Sequence, residues 1–115
     1  MEQTVKTIQA NDFAELILNR PGSYNAFDLE MLLLLAERLT GLASDPQVAG
    51  VVISGEGKAF CAGGDLRWIA ARGDGPGATL HEMVPHFHRA VLEIRRMPKP
   101  VVAAINGMVE RTDEK

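Results

Sequence analysis

Residues 29–43 constrain the fold more than any other stretch of this chain. Wound at about 100° per residue, the segment gathers its polar positions, Glu30, Glu37, Arg38 and Gly41, into one narrow stripe. Nearly everything else in it is Leu, Met or Ala. A helix with so wide an apolar surface has to be covered on most sides. Few other elements can be read in the 115 residues, which suggests that part of the covering is missing or comes from another chain. Asp28 can cap the helix by accepting a hydrogen bond from an orphan amide of the first turn. Ser44-Asp45-Pro46 is its stop signal.

The flanking segments read as a mixture of strands and helices. Val5–Gln9 and Phe13–Leu18 are short β-prone runs joined by Asn11-Asp12, which predicts a hairpin. Asn19-Arg20-Pro21-Gly22 ends the second strand in a loop. Val48–Ser54 is a continuous apolar run of the kind buried in parallel sheets. After the loop Gly55–Lys58, a short helix is expected over Asp65–Arg72, and Gly73–Gly77 is a flexible linker. Leu80, Val84, Phe87, Val91 and Ile94 repeat at helical spacing. Pro85 removes an amide from that helix, so the helix should start near it or kink there. Met97–Pro100 ends it, and Val101–Ile105 reads as another buried strand. Strands alternating with helices in this order predict an α/β fold.

Composition excludes several classes. The chain is 46% hydrophobic and 23% charged, too apolar for a disordered segment. A net charge of -3 leaves no nucleic-acid footprint. Arg95, Arg96 and Lys99 read as a solvated helix end. One cysteine, Cys61, gives neither a disulfide framework nor a zinc-ligand set and fits a reducing compartment. The longest apolar run, Met31–Ala36, is far shorter than the ~20 residues of a membrane span. No secretory signal is visible in the first residues, so the expectation is a soluble cytoplasmic protein with no membrane partner.

Chemistry points to Lys58-Ala59-Phe60-Cys61-Ala62-Gly63-Gly64-Asp65-Leu66, which follows a buried strand and leads into a helix. Adjacent glycines allow backbone geometry that other residues resist. Amides left free there could stabilise a developing oxyanion. A glycine-rich connection without any ligand is the competing reading, and the residues alone do not separate the two. Gly55-Glu56-Gly57-Lys58 has neither P-loop spacing nor a dinucleotide fingerprint. Cys61 reads as a buried structural thiol, and Asp65 as a helix cap rather than an acid or base. Glu82 and Glu93 read as helix-surface carboxylates. His81, His86 and His88 lack the i, i+4 pairing of a helical metal site, so no metal is expected.

Three motifs in order resemble the crotonase superfamily, the enoyl-CoA hydratase/isomerase family. Leu18-Asn19-Arg20-Pro21 with Asn25-Ala26-Phe27 resembles its opening loop. Lys58–Leu66 resembles its first oxyanion segment, Phe-x-Ala-Gly-x-Asp, and Lys99–Gly107 its next strand and turn. The match runs from about residue 5 to residue 109, the N-terminal half of such a protein. The resemblance implies a crotonase-like spiral of ββα units, truncated to roughly its first two. It implies an acyl-CoA substrate, with coenzyme A as part of that substrate and no separate cofactor. By motif position, Gly64 would give one backbone amide to the thioester carbonyl. Asn25, Ala26, Lys58, Ala62, Gly63, Asp65 and Leu66 would bind the substrate. Within that set, Ala62 and Leu66 would lie near the adenine, with Lys58 and the Asn25-Ala26 loop toward the phosphates or pantetheine arm. The implied reaction is hydration or isomerisation of an unsaturated thioester through an enolate-like intermediate. Trimer-type homo-oligomers, or mixed oligomers with related chains, are the implied partners.

The pattern breaks after residue 109. The family continues with a Gly-Gly-Gly run, which here would fall on Arg111, Thr112 and Asp113. Residues 110–115 form a charged tail instead. The second oxyanion glycine and the catalytic carboxylates of hydratases are therefore not found. A truncated, inactive relative is one reading. A non-catalytic module that associates with oligomers of intact relatives is the other.

Overall fold

The computed structural model describes residues 3–73 and 75–105, and the backbone of residues 108–109. The tail 110–115 lies outside the described residues, and so does the Asn106-Gly107 turn.

The predicted hairpin is present. Strands β1 (Val5–Ala10) and β2 (Phe13–Leu18) pair antiparallel, and Asn11 takes a left-handed φ of 58° in the turn between them. Asn tolerates that conformation better than most residues. β2 then pairs in parallel with β3 (Gly50–Gly55), and β3 with β5 (Val101–Ala103), in the order β1-β2-β3-β5. Each parallel step is bridged by a helix, as parallel pairing requires. Helix α1 (Leu29–Ala43) links β2 to β3, and α3 (Pro76–Arg96) lies between β3 and β5.

α1 begins at Asp28, whose Oδ1 accepts from the Met31 amide at 2.9 Å. Its Met31, Leu35, Ala36 and Leu39 join Leu16, Leu18 and Val51 of the sheet in one core, closed by Ala90 and Met97. The expected solvated helix end at Arg95, Arg96 and Lys99 holds only for the two arginines. Lys99 Nζ donates to the carbonyls of Leu42 and Asp45 at 2.6 Å each. It thus satisfies acceptors at the C-terminus of α1, the end of the helix that attracts a cation.

Three features differ from the sequence expectation. β5 stops at Ala103 rather than Ile105 and is not buried, Val102 and Ala103 being exposed, because it lies at an edge of the four-stranded sheet. β4 (Ala59–Cys61) and β6 (Met108–Val109) pair in parallel as a second, two-stranded sheet. Three residues inside a turn-like stretch are too few for strand periodicity to register. α3 does not start near Pro85. It begins at Pro76, a residue suited to a first helical position, and runs through Pro85 to Arg96.

Candidate functional site

The site is built where the 20–28 loop meets the segment after β4. Gly55 lets the chain double back tightly: a Cβ there would lie 2.6 Å from the carbonyl oxygens of both Ala59 and Phe60. Asn25 pins the opposite wall. Its side chain is fully buried. Nδ2 donates to the carbonyls of Glu56 at 3.0 Å and Ala59 at 2.9 Å, and Oδ1 accepts from the Arg20 amide at 2.7 Å. The side chain of Asn25 is thereby committed to the fold. Ala26, 6% exposed, is buried beside it.

Against this loop, the glycine segment is held at three points. The Ala62 amide donates to Tyr24 at 3.1 Å, the Phe27 amide to Gly63 at 2.7 Å, and the Asp65 amide to Phe27 at 2.9 Å. The last two bonds form a parallel bridge between Phe27 and Gly64. In such a bridge the flanking residues supply the bonds, and the central residue's own N–H and C=O face the other way. The Gly64 amide accordingly makes no hydrogen bond to any described residue. Gly63 carries a φ of 86°, which favours glycine. Gly64 does not have a positive φ, and a Cβ there would meet only Ile69 Cδ1, at 3.6 Å.

The titratable neighbours have settled roles. Burial pushes the Cys61 thiol up, and the Gly63 amide, 3.4 Å from Sγ, only partly offsets this. A thiol kept protonated is a poor nucleophile. Asp65 caps α2 (Leu66–Ala71), its Oδ1 accepting from the Trp68 amide at 3.1 Å. Its Oδ2 accepts from Arg20 Nη2 at 2.7 Å. Partial burial raises this carboxyl, but the Trp68 amide and the Arg20 guanidinium more than offset that and hold it below the usual carboxylate range. It is a weak proton donor as a result.

Gly63 and Gly64 open onto an apolar cavity of about 530 Å³. Its floor is the carboxyl ends of the parallel strands, through Leu18, Ile53 and Ala103. Ligands of parallel α/β sheets gather at that end. The far wall is the α3 stripe read from the sequence, Leu80, Val84, Phe87, Val91 and Ile94. Phe87 meets Phe27 edge-on, with ring centroids 6.3 Å apart. Among the described residues, no Asp or Glu lines the cavity. Of the expected binding residues, only Gly63 and Gly64 reach it. Ala62, Lys58 and Leu66 do not line it, and Lys58 and Leu66 are exposed. Among the described residues, no three His, Cys, Asp or Glu side chains gather to hold a metal, and no helix is long and apolar enough to cross a membrane.

A family model described as "Enoyl-CoA hydratase/isomerase" matches residues 13–109. The chain belongs to this family. The match spans the sheet from β2 onward, both crossover helices and the glycine segment. The family's 1,2-epoxyphenylacetyl-CoA isomerase from Escherichia coli (strain K12) is 36% identical over 94 residues, covering 81% of this chain and 36% of the relative. A 4-chlorobenzoyl coenzyme A dehalogenase from an Arthrobacter species is 34% identical, covering 82% of this chain and 34% of the relative. The crystal structure of an enoyl-CoA hydratase from Mycobacterium smegmatis superposes with a TM-score of 0.83 at 33% identity, over 90% of this chain and 40% of that one. The fold is that of the crotonase superfamily, as its N-terminal portion. The chain spans little more than a third of the length of the curated relatives it matches.

Sequence reasoning missed Arg20 and Phe27 as site residues. Arg20 Nη1 donates to the Ala26 carbonyl, Nη2 to Asp65, and Nε lies 3.5 Å from Asp28 Oδ2. Both aspartates were legible as helix caps. Nothing in the spacing of the sequence says that one guanidinium joins them.

Proposed function

We propose that this chain binds the acyl part of an acyl-CoA thioester in the apolar cavity and presents the Gly64 amide to the thioester carbonyl. Coenzyme A enters as part of the substrate, and no separate cofactor is invoked. One observation carries the reading: an amide with no partner among the described residues, on a glycine that opens onto an apolar cavity. Neither crowding nor a left-handed backbone demands glycine at position 64. Leaving out the side chain there serves access rather than folding. The related proteins are named as an isomerase, a dehalogenase and an enoyl hydratase, each of a CoA compound. What unites such reactions is charge developing on a thioester oxygen, which a fixed amide in an apolar site stabilises.

The described residues supply only part of a catalyst. A second oxyanion donor and a proton-transferring carboxylate have to come from outside them, since no acidic side chain lines the cavity. The function proposed for this segment is therefore binding and polarisation. Hydration or isomerisation belongs to the completed site.

Gly64→Pro removes the amide, and Gly64→Ala keeps it. One hydrogen bond is worth about 1 kcal/mol, so Gly64→Pro should weaken binding of crotonyl-CoA by about fivefold in calorimetry. It should also abolish the red shift of the bound thioester carbonyl in infrared difference spectra. Gly64→Ala should leave both close to wild type. A folded Gly64→Pro protein with an unaltered carbonyl shift would remove Gly64 from the site.

A further inference from the structure

We infer that Arg20 is a positioning residue that sets the direction of the Gly64 amide by holding two helix caps and the loop strand between them in one closed ring. The inference rests on the reading of Gly64 given above.

Asp28 and Asp65 divide their carboxylate oxygens in the same way. Each uses Oδ1 to cap its helix, at 2.9 Å to Met31 and 3.1 Å to Trp68, and turns Oδ2 toward Arg20. The guanidinium reaches Asp65 at 2.7 Å and Asp28 at 3.5 Å, and its third arm takes the Ala26 carbonyl. All three charged side chains are largely sequestered, with 12 to 17% of their surface exposed. The ring then closes through the backbone. Ala26 precedes Phe27, and Phe27 binds Gly63 on one side and Asp65 on the other. Gly64 sits between those two anchors, and its peptide plane is set by them. Arg20 is also held at its own backbone, whose amide donates to the buried Asn25. No contact joins Arg20 to the cavity, so it acts through the turn rather than on a ligand.

Charge makes the ring more than a brace. Two carboxylates close to a site meant for a developing anion would oppose that anion. Arg20 offsets one of them and fixes both in place. A planar fork with three differently directed partners suits arginine, and the compact ammonium of lysine cannot span all three.

The experiment follows the Gly64 amide by nitrogen-15 NMR in three proteins: wild type, Arg20→Lys and Asp65→Asn. Asn retains the capping function at position 65 while losing the charge. Without ligand, both variants should shift the Gly63, Gly64 and Asp65 amides and leave the amides around Leu39 in place. Hydrogen exchange at the Phe27 amide, which bonds across the bridge to Gly63, should rise about tenfold in both. On titration with crotonyl-CoA, the wild-type Gly64 resonance should move, and Arg20→Lys should bind about threefold more weakly despite keeping its charge, a smaller loss than removal of the amide itself. An unchanged Gly64 shift together with unchanged Phe27 exchange in both variants would overturn the positioning role. A wild-type Gly64 resonance indifferent to crotonyl-CoA would overturn the acyl-CoA reading instead, leaving the ligand-free comparison to decide the role of Arg20. If one variant does not fold, the other carries the comparison.

Discussion

At the scale of single residues, the site is a matter of which polar groups are committed and which are left over. Asn25 is the most committed: buried, left-handed at a φ of 58°, and bonded three times. Asn25→Ala would leave two carbonyls and an amide unpaired and should cost about 3 kcal/mol, measured by urea denaturation. A loss below about 1 kcal/mol would mean that water replaces the side chain at no cost. Asp65 gives a pH signature. Its folded-state pKa lies below the ordinary value, so the stability it contributes is present above about pH 4 and fades as pH falls through the lowered folded value. Asp65→Asn should lower the melting temperature at pH 7 and flatten its decline between pH 5 and pH 3. An acid limb parallel to wild type would place the titration elsewhere, for instance on Glu93. That carboxyl is also depressed, chiefly by a hydrogen bond with Thr40. At this scale the sequence was legible where a role follows from chemical type at a known offset: Asp28 and Asp65 as caps. It was silent about Asn25 as a pin and Arg20 as a clamp, because both act across 31 to 45 positions of chain that no local pattern spans.

At the scale of elements, α3 shows how one helix can serve two purposes. Its fully buried side, Thr79, Met83 and Ala90, packs into the fold. The stripe read from helical spacing, Leu80 to Ile94, faces the cavity, and Leu80, Val84 and Phe87 stay 44 to 47% exposed. Periodicity reports that a face is apolar, not whether protein or ligand covers it. Pro85 lies on this helix without ending it, and it removes the amide that would bond the carbonyl four residues earlier. Pro85→Ala restores that bond and should raise stability by about 1–3 kcal/mol, read as a higher melting temperature. A destabilised variant would mean that α1 and the cavity are packed around a bend in α3 that the proline imposes. Elements with long regular signals, α1 above all, appear within the expected bounds. β4 and β6 escaped notice because strands of three and two residues carry no period of their own.

At the scale of the whole molecule, the apolar surface is unevenly closed. The sheet has two edges, β1 and β5. Lys6 on β1 pairs with Glu56, and exposed Thr7, Ile8 and Gln9 follow it, so that edge carries one large apolar residue among polar and charged ones. On β5 Val102, at 53%, and Ala103 are exposed, and Ile105 beyond them is 62% exposed. Charged or polar edges resist strand addition, and a bare apolar edge invites it. The open stripe of α3 adds to the same imbalance. Contiguous apolar patches of this kind drive association in water. The isolated chain should therefore sediment with a weight-average mass that rises with concentration. Val102→Lys should reduce that rise by guarding the β5 edge, and Phe87→Glu by charging the α3 stripe. If the stripe is the wall of an acyl pocket, crotonyl-CoA should suppress association in wild type and leave Phe87→Glu unaffected. Concentration-independent monomers of wild type would show that the exposed stripe is too small or too well hydrated to associate. Association that ignores Phe87→Glu and crotonyl-CoA but yields to Val102→Lys would assign it to the sheet edge alone. The two variants thus separate a surface that is open because it binds from one that is open because a strand there has a free side.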